Sequence, residues 1–191
     1  MKIGFIGLGN MGASLAKAVL QAKTGAQILL ANRSQAKVDT FITNFGGQAS
    51  SNEEIFAEAD VIFLGVKPAQ FSDLLSQYRT ILEKRESLLL ISMAAGLTLE
   101  KLASLLPNQH RIIRMMPNAP ASIGQGVISY ALSANCHPED NELFCLSFGP
   151  CLIPHTWQLS KSWLGWFCFV LFSKRAHSGC LFIQIIEPKW Q

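Results

Sequence analysis

An apolar run over residues 3–6 meets three glycines, Gly7, Gly9 and Gly12, within the opening segment MKIGFIGLGNMG. The spacing is G-x-G-x-x-G, and its position behind a strand and ahead of a helical pattern restricts the chain to folds that can present such a turn at a sheet edge. Each glycine has its own task. Gly7 permits the tight turn, Gly9 lets the backbone approach a ligand, and Gly12 lets the helix pack close to the strand. With Ile6, Leu8, Asn10 and Met11 they make a loop whose N–H groups and helix dipole, at residues 10–14, suit the pyrophosphate of a dinucleotide.

The rest of the chain repeats the unit. Ala13, Ala16, Val19 and Leu20 recur at helical spacing, which predicts a helix over residues 12–23 that packs on a sheet. Strands are expected at 26–31, 60–66, 87–93, 111–116 and 127–132, the central ones apolar throughout as strands buried on both faces are. Helices are expected at 35–44, stopped by Gly46 and Gly47, from Ser51 or Asn52 onward with Glu53 and Glu54 in the first turn, over 68–82, and over 98–105. This alternation predicts an α/β fold: a doubly wound, Rossmann-like, mostly parallel sheet with helices on both faces. Ligands of such sheets bind beyond the carboxyl ends of the strands. The loops at 7–12, 32–34, 65–68, 92–96 and 117–121 should therefore gather on one edge.

The loop after the second strand bears on which dinucleotide would fit. An NAD site usually has an acidic residue there, whereas this chain has Asn32, Arg33 and Ser34, with Lys37 one turn later. A cation beside neutral donors suits a ribose 2′-phosphate through charge-assisted hydrogen bonds, so NADP is expected. A surface arginine beside a helix cap is the plainer account of the same residues.

Three further loops carry a family resemblance. Gly65-Val66-Lys67-Pro68, Ser92-Met93-Ala94-Ala95-Gly96 and Arg114-Met115-Met116-Pro117-Asn118-Ala119-Pro120-Ala121 resemble, in order and spacing, the pyrroline-5-carboxylate reductases, the NADPH-linked enzymes of the last step of proline synthesis. The likeness covers residues 1 to about 144. It implies cofactor contacts at residues 6–11, Ser34, Asn52, Gly65, Val66, Lys67, Pro68, Ala94, Ala95 and Gly96, and places Met116, Pro117 and Asn118 near the nicotinamide. It also implies hydride transfer to a cyclic imino acid whose protonated ring nitrogen takes up the electrons, so that alignment and a hold on the substrate carboxylate suffice. No residue is assigned as a catalytic acid, base or nucleophile, and His110 and His137 are read as surface or strand-end residues. A β-hydroxyacid dehydrogenase shares the opening fingerprint, but should show a glycine-rich loop near residue 120 and a later catalytic lysine. A catalytically silent NADP-binding module is the remaining alternative.

Composition changes abruptly near residue 145. All four tryptophans and Cys145, Cys151, Cys168 and Cys180, out of five cysteines, follow Phe144, with Glu187 the single acid among them. The resemblance implies that a helical domain for dimerisation and substrate binding should begin here, and its motifs are absent. A dinucleotide-binding domain over 1–144 followed by an atypical tail over 145–191 is therefore expected, with a reading-frame shift near residues 144–146 as its explanation. A homo-oligomer, expected of the family, depends on that segment. The net charge of +3 has no basic run behind it, so nucleic acid is not an expected partner. No metal site is expected, because the tail's Cys and His lack paired tight spacing. No membrane span is expected, because the apolar stretch from Trp163 is about ten residues where a span needs ~20. The cytoplasm is the expected location, from the absence of a signal-like start and the odd count of five cysteines.

Overall fold

The computed structural model describes residues 1–22, 24–117 and 127–147, together with the backbone of Leu181–Gln184. The chain runs β1 (Lys2–Ile6), α1 (Asn10–Gln21), β2 (Gln27–Ala31), α2 (Gln35–Phe45), β3 (Gln48–Ala49), α3 (Asn52–Glu58), β4 (Val61–Leu64), a single 3₁₀ turn (Pro68–Gln70), α4 (Phe71–Gln77), α5 (Arg79–Lys84), β5 (Leu89–Ser92), α6 (Leu99–Ser104), β6 (Arg111–Pro117), β7 (Val127–Leu132), α7 (Pro138–Leu146) and β8 (Leu181–Gln184). The strands form one sheet in the order β3-β2-β1-β4-β5-β6-β7-β8. Every neighbouring pair from β3 to β6 is parallel; β7 is antiparallel to β6, and β8 is parallel to β7.

The expected doubly wound sheet is thus present, and its order reverses at β1. Side-chain alternation along the strands builds two cores. Ile3, Phe5, Leu30, Val61, Phe63, Leu89, Ile91 and Ile113 face one side, where α1 contributes Leu15 and Val19, α2 contributes Val38 and Phe41, and α7 contributes Phe144. Ile6, Leu29, Ile62, Leu64, Leu90 and Ile112 face the other, under Ile55 and Phe56 of α3, Phe71 and Leu75 of α4, Leu82 of α5 and Leu102 of α6. Burial on both faces explains why these strands read as unbroken apolar runs. Phe5 and Phe63 stack on adjacent strands with ring centroids 4.5 Å apart.

Four details differ from the sequence reading. The expected helix over 68–82 is broken into a 3₁₀ turn, α4 and α5; at Tyr78 the backbone leaves helical geometry (φ −106°, ψ 16°) and the ring stacks on Phe56. β3, only two residues long, is too short to give a periodic signal. β7 reverses direction, so it closes the parallel run. His110, expected at the surface or a strand end, does precede β6 but is buried, its ring Nε2 2.9 Å from the Leu82 carbonyl.

Beyond β7 the packing continues into α7. Pro138 sits in its first turn with Glu139 and Asp140, a favourable start for a helix. The buried Asp140 carboxylate accepts from Arg111 at the start of β6 and from the His137 backbone N–H, the latter at 2.8 Å. Tyr130 donates to Asn141 at 2.7 Å, and its ring lies 4.8 Å from that of Phe144. The helix therefore runs past residue 144 as one packed element, and Ser147 beyond it is buried.

Candidate dinucleotide-binding edge

Strand register levels the carboxyl ends. Ile6 stands opposite Ala31 and Leu64, Leu64 opposite Ser92, and Ser92 opposite Arg114, so the loops that follow β1, β2, β4 and β5 leave the sheet from a single row. β3 runs parallel to β2, and Ser50 and Ser51 leave on the same side. β6 continues past the row through Met115, Met116 and Pro117, paired with β7, and makes a wall at one end. Met116 is 39% exposed on that wall. Asn118, expected beside them, lies outside the described residues.

At the centre of the row the backbone is interlocked. Gly7 has φ +97°, and a Cβ there would lie 2.8 Å from the carbonyl of Gly65. A Cβ on Gly12 would come within 2.1 Å of the Gly7 oxygen, and one on Gly65 within 2.6 Å of the same atom. The Gly7 N–H donates to the Ala31 carbonyl at 2.9 Å and the Gly65 N–H to the Ile6 carbonyl at 2.8 Å, which fixes both loops to the sheet. The first-turn and packing tasks given to Gly7 and Gly12 are thus borne by contacts within the protein, and Gly65 shares them.

Gly9 differs. Its φ of −69° is open to any residue, and a Cβ would meet nothing within 4 Å. Neither backbone strain nor packing calls for glycine there. What the missing side chain leaves is open approach to the start of α1, which has no acidic residue in its first turn and no side-chain cap. The Ala13 N–H already donates to Gly9 at 2.9 Å, so the N–H groups ahead of the helical ladder are those of Asn10, Met11 and Gly12, a shorter set than residues 10–14. Space for a ligand beside free N–H groups fits a pyrophosphate.

The corner after β2 divides its work. Asn32 is half-buried and engaged on both sides, accepting from the Leu8 N–H at 3.0 Å and donating to the Ser34 carbonyl at 3.2 Å. Arg33, Ser34 and Lys37 are exposed. Ser34 occupies the N-cap position of α2, yet its hydroxyl makes no capping bond, so the plainer account of Ser34 as a cap does not use its side chain. Across the edge Ser51 caps α3 by accepting from Glu54 at 3.1 Å, which leaves Asn52, the first helical residue, without a capping duty.

On the other side of β1, Val66 is half-buried while Lys67 and Pro68 are exposed ahead of the 3₁₀ turn. After β5, Ala94 is buried, Ala95 is exposed, and Gly96 takes φ +80°. Two neighbours belong with them. Ser92 is fully buried and its hydroxyl accepts from the Ala94 N–H at 3.3 Å, setting the Ala-Ala-Gly turn; the Met93 methyl would lie 3.2 Å from a Cβ on Gly65. Their positions at a strand end gave the signal that could have singled them out. Among the described residues there is no group of three potential metal ligands, and no helix long and apolar enough to cross a membrane. Cys136 and Cys145 carry free thiols, each raised in pKa chiefly by burial.

A parallel sheet that reverses at β1, with an open glycine loop at the reversal, is the architecture of a dinucleotide-binding domain. A family model described as NADP oxidoreductase coenzyme F420-dependent matches residues 2–96. The chain is 40% identical over 143 residues to the pyrroline-5-carboxylate reductase of Escherichia coli (strain K12), covering 73% of this chain and 52% of that protein. To the pyrroline-5-carboxylate reductase of Arabidopsis thaliana it is 32% identical over 151 residues, 78% and 54% of the two chains. The chain belongs to the pyrroline-5-carboxylate reductase family. Among solved structures its fold is similar to the reductase of Coxiella burnetii, with a TM-score of 0.74, 24% identity, and 96% and 58% of the chains covered. It is also similar to the Plasmodium falciparum pyrroline carboxylate reductase solved with NADP bound, with a TM-score of 0.65, 29% identity, and 78% and 54% covered. The chain spans about half the length of the curated relatives it matches.

Proposed function

We propose that the described domain binds NADPH, and that it is the cofactor-binding part of a reductase that converts 1-pyrroline-5-carboxylate to proline. The observation that carries this reading is the open approach at Gly9, beside N–H groups without side-chain caps and one strand away from the exposed Arg33 and Ser34. Gly7 to Gly12 would hold the pyrophosphate, Arg33 and Ser34 the 2′-phosphate, with Asn52, Gly65 to Pro68 and Ala94 to Gly96 around the nucleosides. Met116 and Pro117 would wall the nicotinamide end. Bound there, the cofactor supplies a hydride to an imine carbon. The chain's own residues need then only orient the ring and exclude water, because an iminium accepts hydride without a protein nucleophile.

Titration with NADPH and NADH, followed by NADPH oxidation with 1-pyrroline-5-carboxylate, tests both halves of the proposal. NADPH should bind the more tightly, and Arg33→Ala should reduce that preference by about tenfold or more. Equal binding of the two nucleotides by the parent protein would overturn the assignment of NADP. A second reading, binding without turnover, is favoured by the composition of residues 145–191, which lacks the family's motifs; tight NADPH binding with no oxidation would select it. The β-hydroxyacid dehydrogenase alternative has only the shared opening fingerprint in its support. A cytoplasmic, homo-oligomeric enzyme with a small cyclic imino acid as substrate accords with the same reading.

A further inference from the structure

Asn32 follows the last residue of β2 and bridges two loops. Its Oδ1 accepts from the Leu8 N–H at 3.0 Å and its Nδ2 donates to the Ser34 carbonyl at 3.2 Å. The peptide between Gly7 and Leu8 is the part of the glycine loop most able to turn over, because Gly7 has no Cβ and already stands at φ +97°. The amide oxygen of Asn32 holds that peptide's N–H inward, while the buried Leu8 side chain anchors its far end. The Ser34 carbonyl, which also accepts from the Lys37 N–H at 3.2 Å, fixes the start of α2 to the same amide.

From these two bonds we propose that Asn32 is a positioning residue, which joins the pyrophosphate loop to the 2′-phosphate corner and sets both without contacting the phosphate itself. A phosphate accepts hydrogen bonds only, so the inward-facing Oδ1 offers it nothing, and the Nδ2 is already engaged. The role rests on the dinucleotide reading above. It separates Asn32 from Arg33 and Ser34: the two exposed residues choose between NADPH and NADH, whereas Asn32 supports the loop that both nucleotides use.

Hydrogen exchange of the nucleotide-free full chain, combined with NADPH and NADH titrations of Asn32→Ala, Asn32→Asp and Arg33→Ala, tests this. In Asn32→Ala the Leu8 amide should exchange roughly five- to tenfold faster, as loss of one hydrogen bond permits, with the amides of Ile62 and Ile91 unchanged. NADPH and NADH should weaken by a similar factor in Asn32→Ala, and NADPH alone in Arg33→Ala. Asn32→Asp keeps an acceptor for Leu8 and should recover both the slow exchange and NADH binding. Unchanged Leu8 exchange in Asn32→Ala would overturn the bridge, and selective loss of NADPH in that variant would make Asn32 a phosphate contact instead. If the parent protein bound neither nucleotide, the dinucleotide reading would fall together with the positioning role, while Leu8 exchange would still show whether the amide holds the loop.

Discussion

A methyl group on Gly9 meets no atom within 4 Å, whereas one on Gly12 would lie 2.1 Å from the Gly7 oxygen. Two alanine substitutions three residues apart should therefore fail in different ways. Gly9→Ala is expected to change unfolding stability by no more than about 1 kcal/mol, the scale of an N-cap change, yet to weaken NADPH binding. Gly12→Ala is expected to cost about 3 kcal/mol or more, because backbone must move to admit the Cβ. Urea unfolding and nucleotide titration of the two variants check this; a Gly9→Ala protein that binds NADPH as tightly as its parent would remove the ligand explanation of the open approach. The glycine spacing made all three positions legible in the sequence. It also separated the glycine with open approach from the two that face protein, but it did not show Gly65 as their packing partner, since that depends on where Gly65 comes to rest.

Elements were legible where periodicity is strong and one environment prevails. β1, β2, β4, β5 and β6 have apolar residues on both faces and are legible to within a residue or three of their ends, as are α1, α2 and α6, with α3 legible at its start. The break at Tyr78 was not legible, because it follows from a ring contact with Phe56 of α3. Nor was the reversal at β7, since strand direction is set by the path of the connection rather than by strand composition. His110 is a further case, its burial following from the docking of the start of β6 on the end of α5. A carbonyl accepts, so the ring proton sits on Nε2 toward Leu82, and Nδ1 has no hydrogen-bond partner among the described residues. Burial holds the imidazole below its ordinary pKa against the opposing pull of the Leu82 carbonyl, with the Arg85 guanidinium adding to the depression. The unfolded chain takes up the proton as pH falls through the ordinary value of 6.5, before the folded chain does. Stability should accordingly be full above that value and decline below it. Urea midpoints at about pH 7.5 and about pH 5 should differ less in His110→Asn than in the parent, because titration of a free histidine spans that interval; equal differences would assign the pH dependence to other groups.

For the molecule as a whole, the described domain offers half of what its relatives' length would contain, and it is the half whose geometry is settled by strand ends. Asp140 and Arg111 tie α7 into that domain across the position where composition changes. The concentration of Trp and Cys after Phe144, with a single acid, accords with a change of reading frame there. Sequencing the genomic locus is expected to reveal, in a neighbouring frame, apolar residues at helical spacing; a neighbouring frame without them would end that explanation. The contact among Gly7, Gly12 and Gly65 has a consequence of another kind. Every residue that could replace a glycine brings at least one more carbon, and at each of these positions that carbon lands on backbone. The neighbouring codons of Gly7 and Gly12 are thereby tied to the distant codon of Gly65, and a missense step at any of the three carries a steric cost. Substitutions can accumulate freely on the outer faces of α1 and α2 while this point stays fixed, so it should serve as the reference from which divergence in the rest of the edge is measured.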